Sequence, residues 1–83
     1  MLVAKITVTL KSGVLDPQGK AVHRSLESLG FKAISDVRVG KHIQVALNPG
    51  LSEGEAKKQV TEMCQKLLAN EVIEDYSFEL SKT

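Results

Sequence analysis

An α+β fold in the order β-α-β-β-α-β, one antiparallel sheet with two helices on one face, is what this 83-residue sequence predicts. Three observations carry the prediction. Leu2, Ala4, Ile6, Val8 and Leu10 alternate with Val3, Lys5, Thr7, Thr9 and Lys11, the period of a half-buried strand. Two later segments open on helix-capping residues and continue with apolar residues at helical spacing. Alternation returns after each of them, so helices and strands are interleaved.

Ser12 and Gly13 end the first strand. Asp16-Pro17 supplies a capping carboxylate and a proline at the first helical position, where its missing N–H costs nothing. Val22, Leu26 and Leu29 follow at helical spacing, and Gly30 is placed to end the helix in a left-handed conformation. Leu15 and Phe31 bracket this helix and are expected to reach the same core. Val37, Val39, Ile43, Val45 and Leu47 alternate around Gly40-Lys41. Two strands joined by a type II′ turn at Gly40 are the favoured reading. One long strand bent by a glycine bulge is the alternative. Asn48-Pro49-Gly50 is a turn, and Ser52 and Glu55 form a capping box. Ala56, Val60, Met63, Cys64, Leu67 and Leu68 then make one apolar stripe. Asn70 suits a left-handed helix end, and Val72, Tyr76, Phe78 and Leu80 give the last strand.

Crossovers of this kind are right-handed and keep both helices on one sheet face, a ferredoxin-like arrangement. Residues 1–83 read as one domain. So short a chain hides only about 60–65% of its unfolded surface, and one cysteine and two separated histidines give no disulfide framework or metal cage. Oligomerisation is the expected source of extra burial, with Val3 and Ile73 as candidates on the second sheet face. The fold by itself identifies no function.

The lone cysteine fits a reducing compartment, and the alternating start carrying Lys5 does not read as a signal peptide. No segment approaches the roughly 20 apolar residues of a membrane span. A cytoplasmic protein with no membrane partner is expected. Net charge is +1 with basic residues spread along the chain, and the only aromatics, Phe31, Tyr76 and Phe78, read as buried. That pattern argues against a nucleic-acid partner.

Cys64 lies late in its helix on the apolar stripe, away from any N-terminus that would lower its pKa, and reads as a small buried hydrophobe. His23 and His42 read as exposed, without a carboxylate spaced to orient either. Glu71, Glu74 and Asp75 suggest a cation site, but strand geometry sends Glu74 and Asp75 to opposite faces, and a solvated edge is the plainer account. Arg38-x-Gly40-Lys41 lacks the rest of a phosphate-binding loop. Lys20 and the start of the first helix suggest an anion site, which the Asp16 carboxylate already fills. No catalytic, metal or cofactor-binding residues are expected.

Three stretches together resemble a known family. Asp16-Pro17-x-Gly19, Arg38-x-Gly40-Lys41 and Cys64-x-x-Leu67-Leu68-x-Asn70-x-Val72-Ile73-Glu74 are similar, in order and over nearly the whole chain, to PurS subunits of phosphoribosylformylglycinamidine synthase. The resemblance implies an assembly role in de novo purine biosynthesis, in a ligase complex that uses glutamine and ATP. Partners would be a second copy, the large synthase subunit and the glutaminase subunit. ATP and magnesium would belong to the synthase subunit. Glu71 departs from the family, many members of which carry proline there, and puts local rigidity in doubt. Asp16, Pro17, Gly19, Arg38, Gly40, Lys41, Asn70 and Glu74 are the candidate interface residues. Arg38 and Lys41 stand out because nothing in the sequence gives them structural work. A dimeric regulatory module binding a small ligand between protomers is the alternative. An RNA-binding domain of this fold is a third, but exposed aromatic pairs on the sheet are lacking.

Overall fold

The computed structural model describes residues 1–82. Its elements are β1 (Leu2–Leu10), α1 (Pro17–Ser28), β2 (Lys41–Ala46), α2 (Glu53–Met63) and β3 (Glu74–Lys82), and one π-helical turn, Cys64–Leu68, continues α2. The described residues form a three-stranded sheet of order β2-β1-β3, antiparallel throughout. The predicted class therefore holds: an α+β, ferredoxin-like sheet with two helices.

The alternation of β1 sets the core. Leu2, Ala4, Ile6 and Val8 are buried on one face, and the register places Ile6 between Ile43 and Phe78. Ala56, Val60 and Cys64, spaced four apart, bring α2 onto that face with no exposure at any of the three. The opposite face is polar. Thr7 lies across from His42 and Ser77, and Lys5 from Gln44 and Glu79. Among the described residues Val3 and its cross-strand partner Ala46 add only a small apolar area to it, and Ile73 sits in the turn before β3, so no extended apolar second face forms.

The hairpin at Gly40-Lys41 is absent as well. Gly40 does not have the positive φ that a type II′ turn requires, and residues 37–39 form no strand. The reason is a competing hydrogen bond. Val39 N–H donates to the Asp16 carboxylate at 2.9 Å instead of to a strand. Pairing with β1 begins only at Lys41, opposite Val8.

The apolar stripe holds through Cys64 and again at Leu68, which packs against the core, but it fails at Leu67. Ala69 N–H donates to the Cys64 carbonyl at 3.0 Å, a bond spanning five residues rather than four. The wider turn changes the helical phase, so Leu67 turns outward at 83% exposure while Ala69 is buried. Asn70 is not left-handed either, because no residue other than glycine has positive φ among those described. Val72, expected in the last strand, lies in the turn that precedes it and is exposed.

α1 starts and stops as predicted. Asp16 caps it, Pro17 opens it, and Gly30 at φ +101° receives the chain as Phe31 N–H returns to the Leu26 carbonyl. Its expected place in the core is not realised. Gly19 is its sole buried residue, and Leu15, Leu29 and Phe31 are 64%, 73% and 57% exposed. The segment after Gly30 instead runs back along α1. His23 Nε2 meets the Ile34 carbonyl at 3.2 Å, Gly19 packs on the Val37 carbonyl, and Asp16 holds Val39. His23 is accordingly half-buried rather than exposed. Helix and return segment make an arm, which accounts for a longest dimension of 51 Å. A nine-residue strand spans only about 30 Å.

Candidate functional site

Asp16 organises the end of the sheet where the arm is attached. Its Oδ1 accepts from Gly19 N–H at 2.8 Å, and its Oδ2 accepts from Val39 N–H at 2.9 Å. Arg38 Nε lies 3.6 Å from Oδ2, while its Nη2 donates to the carbonyls of Leu10 at 2.9 Å and Lys11 at 3.1 Å. One buried carboxylate thus ties together the first turn of α1, the return segment and, through Arg38, the last residues of β1. Two glycines make this approach possible. A Cβ at Gly19 would fall on the Val37 carbonyl oxygen, and one at Gly40 would come within 2.5 Å of the Val8 carbonyl oxygen.

A second cluster joins β2 to β3. Lys41 Nζ lies 3.7 Å from Glu74 Oε2, and Glu74 Oε1 accepts from Asn70 N–H at 2.7 Å. Asn70 in turn accepts Val72 N–H on its side-chain oxygen, and its carbonyl accepts from Ile73 and Glu74. The Lys11 ammonium pairs with Asp75 at 3.8 Å. Glu74 and Asp75 therefore bind on opposite faces, as their alternation predicts. A shallow cavity of about 170 Å³, lined by Gln18, Gly40, Lys41 and Glu74 among others, lies between the two clusters.

The structure thus gathers all eight candidate residues at one end of the sheet. It also gives Arg38 and Lys41 intramolecular partners, correcting the expectation that they lack structural work. Arg38 reaches back to Asp16, Leu10 and Lys11 and Lys41 reaches forward to Glu74, all more than 20 positions away in sequence, so no local signal reveals them. Cys64 is buried, and burial pushes its thiol pKa up, the behaviour of a packing residue. His42 is exposed. Among the described residues no three His, Cys, Asp or Glu side chains are grouped to hold a metal ion, and no helix is long and apolar enough to cross a membrane.

The Asp16 carboxyl is held below its usual 3.8 by the Val39 N–H first, then the Gly19 N–H and the Arg38 guanidinium, against an opposing effect of burial. A carboxyl whose folded pKa is depressed contributes its full stability above the unfolded value. It loses that contribution as pH falls through the folded value. Acid unfolding should therefore steepen below about pH 4, and Asp16→Asn should flatten that limb while lowering stability at neutral pH. Superimposable acid limbs for the two proteins would contradict the latch.

Comparison with known proteins covers nearly the whole chain. The family model described as "PurS: Phosphoribosylformylglycinamidine (FGAM) synthase" matches residues 3–82. The Bacillus subtilis phosphoribosylformylglycinamidine synthase subunit PurS is 44% identical over 82 residues, covering 99% of this chain and 95% of the relative. The Methanocaldococcus jannaschii PurS crystal structure superposes with a TM-score of 0.88 at 40% identity, covering 100% of this chain and 99% of that one. A chain of the Thermotoga maritima PurLQS structure gives a TM-score of 0.84 at 27% identity, covering 98% and 99%. With a family model matched from the first strand to the last and relatives aligned over 95–99% of their length, the chain belongs to the PurS family of phosphoribosylformylglycinamidine synthase subunits.

Proposed function

We propose that the chain is a non-catalytic assembly subunit of phosphoribosylformylglycinamidine synthase in de novo purine biosynthesis. It joins the ATP-dependent synthase subunit to the glutaminase subunit and helps ammonia pass from one to the other. ATP and magnesium belong to the synthase subunit, the chain associates with itself as a dimer or higher oligomer, and the complex works in the cytoplasm. The observation that carries this reading is the full-length match to a chain of the Thermotoga maritima PurLQS structure. The alternative, a regulatory module holding a small ligand, is not favoured, since the relatives reported above are PurS subunits matched over 95–99% of their length.

Asp16, Pro17, Gly19, Arg38, Gly40, Lys41, Asn70 and Glu74 form the proposed contact surface. Lys41 is the strongest individual candidate, because its side chain stays 58% exposed beside Glu74. The test mixes the synthase and glutaminase subunits of the source organism with and without this chain. Glutamine-dependent product formation and a joint peak on size exclusion should both require it, while ammonia-dependent activity should not. Lys41→Ala and Arg38→Ala should each weaken the joint peak by about tenfold in affinity, the effect of losing one interfacial charge contact. Full complex formation by both variants would remove these residues from the interface. Failure of the native chain to restore glutamine use would reject the assembly role.

A further inference from the structure

We infer that the junction between α2 and β3 is a docking knob for a different subunit of the complex, with Leu67 and Val72 as apolar anchors that enter a socket with a basic rim. The inference rests on the assembly role proposed above and adds the contact that performs it.

Leu67 and Val72 are each 83% exposed, more than any other large apolar residue among those described. Isolated apolar residues on a surface are ordinary. These two differ because the backbone is built to hold them out. A regular helix keeps residues 64 and 67 on neighbouring positions of one face. Here the five-residue bond from Ala69 N–H to the Cys64 carbonyl sends Leu67 outward and puts the smaller Ala69 inside. Such π turns are rare and recur at functional sites. Val72 is held by the turn that follows. The Asn70 side-chain oxygen accepts Val72 N–H at 3.1 Å, and the Asn70 carbonyl accepts Ile73 N–H at 3.0 Å and Glu74 N–H at 2.7 Å. The Ile73 carbonyl in turn accepts Lys11 N–H at 2.8 Å. A turn braced on both sides presents its apolar tip with little freedom left to lose, which lowers the ordering cost of binding.

Charge selects the occupant. Glu71 stands exposed between Asn70 and Val72, and no base among the described residues pairs with it. Lys11 and Lys41, the bases on this side of the sheet, are engaged by Asp75 and Glu74 instead. Two copies meeting at this turn on a two-fold axis would set one unpaired Glu71 against the other. A concave partner with an apolar floor and a Lys or Arg on its rim satisfies the anchors and the carboxylate together. The knob also adjoins the proposed contact surface, since Asn70 N–H donates to Glu74 at 2.7 Å and Glu74 faces Lys41 at 3.7 Å. Leu67 and Val72 thus supply the apolar centre, and those polar residues the rim, of one interface.

The test adds increasing amounts of the full chain to the synthase and glutaminase subunits of the source organism and reads glutamine-dependent product formation. The double variant Leu67→Ser, Val72→Ser should need about 30-fold more chain for half-restoration. Its thermal midpoint and its self-association by sedimentation should match the native chain, because neither side chain is buried. Glu71→Lys should need about tenfold more at low salt, and added salt should narrow that gap. Half-restoration by the double variant at the native concentration overturns the knob and leaves the assembly role standing. Weakened self-association of the double variant gives the knob to a second copy and overturns the choice of occupant. A native chain that restores no glutamine use overturns both readings.

Discussion

Ile6→Ala is expected to destabilise the protein by about 3–4 kcal/mol, more than any other single truncation in the sheet. Ile6 has no exposed surface and is among the largest fully buried side chains. It sits mid-way along the only strand paired on both edges, with Ile43 and Phe78 as its cross-strand neighbours. Those pairings fix the backbone on each side, and the Val60 row of α2 closes the top, so the space left by three lost carbons cannot collapse. A chain this size has roughly 4–12 kcal/mol of stability in all. Thermal unfolding at fixed protein concentration should show a fall of roughly 12–30 °C, and Ile6→Val about a third of that. A loss below about 1 kcal/mol would mean that the core is not centred on β1.

The features legible in the sequence are those written locally. Asp16-Pro17, Ser52 and Gly30 act within one turn of themselves, and β1 alternates over nine residues, so both helices and the central strand fall where they are predicted. The hairpin prediction fails because the Val39 N–H is taken by a carboxylate 23 positions away, a competition that no window around Gly40 contains. Leu67 fails because periodicity assumes a constant pitch, and a single five-residue bond breaks it. The stripe on α1 is real but says only that the helix has an apolar face. Whether its own sheet covers that face depends on where the arm is clamped. The candidate residues show the same division: the motifs name them, but the contacts they make in the fold are not written locally. Asp16 was recognisable as a cap, while its hold on Val39 and Arg38 depends on the path of the intervening arm.

Gly19→Ala reverses the usual sign of a helical substitution. Inside a helix, alanine is better than glycine by about 1 kcal/mol, because glycine loses more backbone freedom on folding. Gly54, in the first turn of α2, has nothing within 4 Å of where a Cβ would stand. Gly54→Ala should therefore be neutral or stabilising by up to about 1 kcal/mol. At Gly19 the added Cβ meets the Val37 carbonyl oxygen and lies 3.0 Å from Asp16 Cγ and Oδ2. The carbonyl belongs to the backbone and cannot rotate away, and the carboxylate is fixed by its bonds to Gly19 and Val39. Either the return segment lifts from α1, or Asp16 releases one of its donors. The net cost should be about 1–3 kcal/mol, concentrated at the base of the arm. Hydrogen exchange should locate it there: the Val39 amide should lose protection in Gly19→Ala, while amides in the middle of β1 keep theirs. Unchanged protection at Val39, or stabilisation equal to that of Gly54→Ala, would mean that α1 and the return segment are not in contact in solution. Any subunit surface built on the arm would then lose the clamp that orients it.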